Sequence, residues 1–432
     1  MIRWASPTMC VPTSSDLPAN AARMTDAFTA PRLSTALATA AAALQAMTLA
    51  SSADTAARLA AARRFRDVAD GLRGQADAAV TALGAVLLQG GPGAATALRL
   101  LAALGTPAAT DRVLDAAVGG DLAVSQGALQ ALGQIAPDPA NAERLLARWQ
   151  TPLPPGVGFL LARAIAQQPV SPTLLDWADA LLAAPPGTEY ADVVLRGIGA
   201  EPGPAVLSWM EGLRSAKRAE VQVAAQGALL RAGQFDALAP LEQWAGKGKP
   251  ALRVRALVWL YGAPFATVLP LFASALADAS AALKQAALLG APFVADPALI
   301  PQAAALLADP KPTVAHQAQA AYWLLTGSPA STDIVQAKRL AIQVAARLPP
   351  QARCLLGRPL SAQSLLPLLV DPSYAACADA TLRLMCGQAP AFRPDADLIR
   401  NLDALEAWRL AAAALDAQMP PGGRWYAGRA LL

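Results

Sequence analysis

Side chains able to do acid–base, nucleophilic or metal chemistry are few in this sequence. His316, in Ala315-His316-Gln317, is the only histidine. A single histidine excludes histidine-pair metal sites and leaves one imidazole base. That base would need a Ser or Cys nucleophile and an orienting acid brought from elsewhere. No GxSxG elbow, GxxxxGK[ST] phosphate loop or HExxH helix is present, so His316 is expected to be a polar residue on a helix face or core edge. Gly90-Gly91-Pro92-Gly93 reads as a turn, because proline removes an N–H where a phosphate cradle needs donors. Asp67 and Asp70 could share a helix face, but Arg63, Arg64, Arg66 and Arg73 surround them, and pairing along the helix explains them more simply. No catalytic residue, metal ligand or cofactor is assigned, and the chain is expected not to be an enzyme.

The stronger chemical feature is basic. Arg214, Lys217, Arg218, Lys247, Lys249, Arg253, Arg255, Lys284 and Lys311 fall mostly at turns between paired helices or at the starts of second helices. Equivalent positions in stacked units line up, so these side chains would form a positive stripe along one edge. The stripe is either a contact strip for an acidic protein or phosphate backbone, or a solvated edge that keeps the array soluble. Trp209, Trp244, Trp259 and Trp323 lie in the same units and are expected to pack between repeats.

The elements that would hold these residues are repeats. Leu238-Ala239-Pro240-Leu241, Leu269-Pro270-Leu271, Leu299-Ile300-Pro301 and Leu366-Pro367-Leu368 each place a proline in an apolar helix start. Such a position has no helical N–H partner to lose. The first three prolines are spaced by 30 and 31 residues, and the fourth follows after 66, which is room for two units. Asp278, Asp309 and Gly248 mark the ends of these first helices. Second helices then run to Gly262, Gly290 and Gly327, where glycine accepts the left-handed stop. Fainter copies lie upstream, over Pro107–Gly119 and Val124–Ile135, and Gly133 and Gly233 close similar segments. About seven to nine pairs are expected between residues 92 and 388.

The Leu-Pro-Leu helix, its terminal Asp and a second helix opening on Val254-Arg255 resemble HEAT repeats, with Lys284 and His316 near the place of Arg255. The resemblance implies an all-α, right-handed α-solenoid of short helical pairs with helical caps at both ends. The divisions expected are an irregular segment 1–32, an N-terminal helical cap 33–91, the repeat array 92–389, and a C-terminal helix and tail 390–432 with Arg424-Trp425-Tyr426 exposed. Three patches also resemble an uncharacterised bacterial family of HEAT-like proteins often encoded in type VI secretion clusters. These are Asp70-Gly71-Leu72-Arg73, the Gly90–Gly93 turn and Leu355-Leu356-Gly357-Arg358-Pro359-Leu360-Ser361. That resemblance implies a cytoplasmic accessory of the secretion machine.

Composition agrees with helices. Alanine and leucine dominate and aromatic residues make up 5%. The net charge of +4 is too small for the length to indicate a nucleic-acid binder. Cys10, Cys354, Cys377 and Cys386 form no CxxC pair and read as reduced thiols, with a Cys377–Cys386 bridge as the alternative. Pro7, Pro12 and Asp16 break any signal-peptide core, and residues 33–53, though uncharged, are too alanine-rich to anchor in a membrane. Repeat architecture without catalytic motifs leads to a non-catalytic protein-binding scaffold. Its concave face would hold another protein, a secreted effector or a secretion component, as an adaptor or chaperone. The alternatives are a nucleic-acid binder of the HEAT-like DNA glycosylase type, a bilin-lyase-like enzyme and an immunity protein that blocks a toxin.

Overall fold

The computed structural model describes residues 30–431, apart from 51–53, 92, 120–121, 154–155, 185–186, 332, 349–351 and 388. Cys10, Pro92 and all but the last three residues of the segment expected to be irregular lie outside that set. Three helices, α1 (Ala30–Leu49), α2 (Thr55–Arg73) and α3 (Ala76–Gln89), lead the chain. Then come α4 (Gly93–Leu104), α5 (Pro107–Val118), α6 (Leu122–Leu132), α7 (Pro139–Trp149), α8 (Val157–Ala166), α9 (Pro172–Ala183), α10 (Gly187–Ile198) and α11 (Pro204–Leu213). The array continues through α12 (Ala219–Arg231), α13 (Leu238–Lys247), α14 (Pro250–Trp259), α15 (Leu269–Leu276), α16 (Ala281–Val294), α17 (Leu299–Ala305) and α18 (Pro312–Thr326) to α19 (Ile334–Arg347). From α5 to α18 these fourteen helices form seven consecutive pairs. The fold is an all-α solenoid.

Local chemistry explains the punctuation. Proline opens α5, α7, α9, α11, α14 and α18, where its missing N–H has no partner anyway. Thr106, Asp138 and Ser171 cap α5, α7 and α9 with side-chain oxygens. The Leu-Pro signature sits as expected in the first turns of α13 and α15. Gly327 stops α18 in the left-handed conformation. Gly290 does not stop a helix. It lies inside α16, and a Cβ there would overlap the Tyr261 and Phe272 rings, so the residue serves close packing.

Even-numbered helices α4 to α18 pack on one another as an inner layer, and odd-numbered helices cover them outside. Each pair is apolar on more than one face, so only stacking buries its surface. Asp278 and Asp309 join successive units: Arg253 pairs with Asp278 at 2.9 Å and Lys284 with Asp309 at 2.7 Å. The residue equivalent to Lys284 is therefore Arg253 and not Arg255, which points inward to Asp192 at 3.0 Å.

The C-terminal part departs most from expectation. After α19 come a hairpin, β1 (Cys354–Leu355) with β2 (Arg358–Pro359), then α20 (Leu366–Val370), α21 (Ala375–Cys386), α22 (Leu402–Asp416) and a second hairpin, β3 (Trp425–Tyr426) with β4 (Arg429–Ala430). This segment returns along the array. Helix α21 touches both α12 and α16, while α20 and α22 touch α2. Every residue of α21 from Cys377 to Met385 is buried. The chain itself thus covers one side of the inner layer. Tyr426 is buried, and Arg424 bonds Pro264 O and Asp296, so this stretch is not an exposed tail.

The returning segment bonds the C-terminal ends of successive inner helices. Arg400 donates to the carbonyls of Gly133 and Gln167, Arg393 to Gly197, Arg383 to Ala200, Tyr426 to Leu230, and Arg353 to Gly262, Phe293 and Val294. The amides of Leu356 and Gly357 reach Leu324 and Leu325. Unpaired carbonyls and the negative end of the dipole gather at a helix C-terminus, and a cation there stabilises by about 0.3–1 kcal/mol, up to about 2 when partly buried. Cys354, Cys377 and Cys386 are free, and burial pushes each thiol up to about 12, which makes them packing residues. Among the described residues no helix is long and apolar enough to cross a membrane.

Candidate functional site: an arginine-lined cleft

A cleft of about 460 Å³ opens between the ends of α10 and α12 on one side and α21 with the 389–395 loop on the other. Its array wall is built around Trp259. Gly227 in α12 has no side chain, so the indole crosses that helix and donates Nε1–H to Asp192 Oδ1 of α10 at 2.8 Å. Arg231, in the last turn of α12, lays its guanidinium over the indole face at 4.4 Å from the ring centroid, and Arg196 of α10 stands at 5.8 Å. Such stacking favours the cation by about 0.5–2 kcal/mol, more as water is excluded.

The opposite wall is also cationic. Arg383 pairs with Asp379 at 2.7 Å, one turn away on α21. Arg393 pairs with Glu201 at 3.0 Å, and Arg196 meets Asp395 only at 3.9 Å. Arg231 has no carboxylate within ion-pairing distance among the described residues. Its Nη2 reaches Val258 O at 3.3 Å, and its Nε is buried without a hydrogen bond, as is the Nε of Arg196. Burial, then the nearby charge of Arg196, lowers Arg231 to about 9, so it stays cationic at neutral pH. Burial raises the Asp379 carboxyl, and the charge of Arg383 opposes that rise. An incompletely neutralised, half-buried cation is costly, and a cleft holding one is suited to receive an anion.

The stripe expected from the sequence lies at the other ends of the inner helices. Arg214 pairs with Glu211 and Asp236. Arg218 donates to Ala183 O. Lys247 ends α13, and Lys249 and Lys311 precede α14 and α18. Lys217 lies in the turn before α12. Arg253, Arg255 and Lys284 make the ion pairs with Asp278, Asp192 and Asp309 described above. His316 is exposed on α18, and no group of three or more His, Cys, Asp or Glu among the described residues could hold a metal. Asp70 pairs with Arg73 along α2. Trp259 is packed, and Trp209 bonds Asp179, whereas Trp323 is 42% exposed. Sequence reasoning missed the cleft arginines Arg196, Arg231, Arg383 and Arg393, and placed Trp259 only as a packing residue. One signal was present: Leu161-Ala162-Arg163, Val194-Leu195-Arg196 and Leu229-Leu230-Arg231 put an arginine in the last turn of three successive inner helices.

No protein-family model matches the sequence, and no curated protein matches it. Among solved structures the chain is similar to human deoxyhypusine hydroxylase in complex with glycerol. The identity is 19%, over 67% of this chain and 96% of that one, with a TM-score of 0.31. A likeness of that size transfers no function.

Two expectations are corrected. The non-catalytic protein-binding scaffold linked to type VI secretion finds no matching family, and the inner-helix ends of its array are covered by the chain's own C-terminal segment. The statement that the chain is not an enzyme is withdrawn with it. The glycosylase-type nucleic-acid binder and the toxin-blocking immunity protein have no matching family or curated protein either.

Proposed function

We propose that this protein binds a small anionic molecule in the cleft between α10, α12 and α21. The observation that supports the reading is Arg231, a guanidinium stacked on Trp259 with a buried, unbonded Nε and no carboxylate partner among the described residues. The cleft volume falls within the range of ligand sites. The three described cysteines are free, which suits a reducing compartment such as the cytoplasm.

Thermal denaturation against a panel of acetate, phosphate, sulfate and citrate, with wild type and Arg231→Met side by side, tests the reading. A ligand that binds only the folded state at a hundred times its Kd adds about 2.7 kcal/mol. At least one anion is expected to raise the melting temperature of the wild type and to lose that effect in Arg231→Met. Equal responses of the two proteins to every anion would remove the cleft as the site.

A further inference from the structure

We infer that the ligand of this cleft is a monocarboxylate with an apolar body, rather than a phosphate or polyanion. The inference rests on the anion-binding reading above and concerns the charge and shape of the ligand. Four guanidiniums line the cleft, from Arg196, Arg231, Arg383 and Arg393, against the three carboxylates of Glu201, Asp379 and Asp395. Asp379 and Glu201 are taken by Arg383 and Arg393, and Asp395 is the acid nearest Arg196. One positive charge is left, on Arg231.

A single negative group balances that charge. A phosphate dianion or a tricarboxylate would bring surplus negative charge beside three fixed carboxylates, and unpaired charge in a partly dry site is strongly unfavourable. A planar guanidinium also matches a carboxylate in geometry, giving two parallel N–H···O bonds.

The rest of the lining indicates the body of the molecule. Pro202, Ala232, Ala389 and Pro394 present exposed or half-buried apolar surface to the same cleft, with Ala228 and Phe392 buried behind them. The Trp259 face is already covered by Arg231, so no stacking platform is offered to a nucleobase. A chain or compact ring attached to the carboxylate would bury against Ala232, Ala389 and the two prolines, at about 25 cal/mol per Å² of apolar area.

Titration calorimetry on the full chain decides the question, with sodium octanoate, sodium acetate, inorganic phosphate and citrate as probes. Octanoate is expected to bind with one site per chain, at least about tenfold tighter than acetate or phosphate, a difference of about 1.4 kcal/mol. Arg231→Met should weaken it by tenfold or more, and Ala389→Phe, which fills the apolar wall and keeps all four arginines, should weaken octanoate more than acetate. The second variant keeps the test decisive if Arg231→Met does not fold. Binding of phosphate or citrate in place of octanoate, lost in Arg231→Met, would overturn the monocarboxylate and leave the anion cleft standing. Octanoate binding unaltered in both variants, or no binding of any probe, would overturn both.

Discussion

Trp259 reaches Asp192 over the bare backbone of Gly227, its indole N–H 2.8 Å from the carboxylate oxygen, and so ties α14 to α10 across the helix between them. Arg255 bonds the second oxygen of the same carboxylate at 3.0 Å. Three consecutive inner helices are locked by one acid, one indole and one absent side chain, and the cleft stands on that lock.

The lock predicts that Gly227→Ala is destabilising although alanine favours helices. Its Cβ would overlap the Trp259 ring, so the ring must move and give up Asp192. Overpacking of this kind costs about 1–3 kcal/mol. Trp259→Phe should cost less at the hydrogen bond itself, about 1 kcal/mol, because Arg255 still satisfies Asp192. Urea denaturation of both variants measures the order, and Gly227→Ala equal to wild type would show that the ring has another place to go.

Arg353 is fully buried and its guanidinium reaches three backbone carbonyls, Gly262, Phe293 and Val294, at the ends of α14 and α16. Arg353→Met leaves those carbonyls unpaired and is expected to cost about 3 kcal/mol or more, at about 1–3 kcal/mol for each buried acceptor left without a donor. Arg409→Met, which removes an exposed pair with Glu406, is the matched control and should leave the denaturation midpoint in place. Loss of the Arg353 side chain should also speed tryptic cleavage within 353–430, since the segment is held through it.

Proline and glycine spacing made the array legible, because each acts through its own backbone and needs no distant partner. Pro240, Pro270 and Pro367 indeed open helices. The returning segment was not legible for the opposite reason. Arg400 meets Gly133 across 267 positions, and its partner is a carbonyl that every residue carries. A side chain that recognises backbone leaves no complementary residue to find. The basic stripe shows the intermediate case: the charges were visible, while the partners of Arg253 and Lys284, each 25 residues ahead at Asp278 and Asp309, required the repeat register.

That Asp ladder makes stability depend on pH at the acid end. The Asp278 carboxyl is held low by the Ser280 amide and by Arg253, and Asp309 by Lys284 and the Lys311 amide. A carboxyl lowered in the folded state binds fewer protons there than in the unfolded chain, so stability rises with pH across the interval between the two pKa values. The contribution is complete above the ordinary carboxylate range, near 4, and is lost as pH falls below it. Asp278→Asn with Asp309→Asn should flatten that part of the curve while leaving the slope above pH 6 unchanged. Urea midpoints at half-unit steps from pH 3 to 7 read the difference.

The two hairpins differ in how tightly they seat, which gives a graded comparison. Leu356-Gly357 and Ala427-Gly428 both occupy the left-handed region, with φ of 52° and 70° in the first and 50° and 74° in the second. Their amides cap α18 through Leu324 and Leu325 and α21 through Leu384 and Met385. Alanine in place of either glycine carries the left-handed cost of about 1–2 kcal/mol. At Gly357 the new Cβ would also overlap the Thr326 carbonyl, whereas at Gly428 the nearest atom, Cys386 O, is 3.4 Å away. Gly357→Ala should therefore be the more damaging, exposing the Leu356 and Gly357 amides to hydrogen exchange while Gly428→Ala keeps its own amides protected. Equal loss of protection at both hairpins would mean that backbone strain alone, and not the approach to α18, sets how firmly the segment is held.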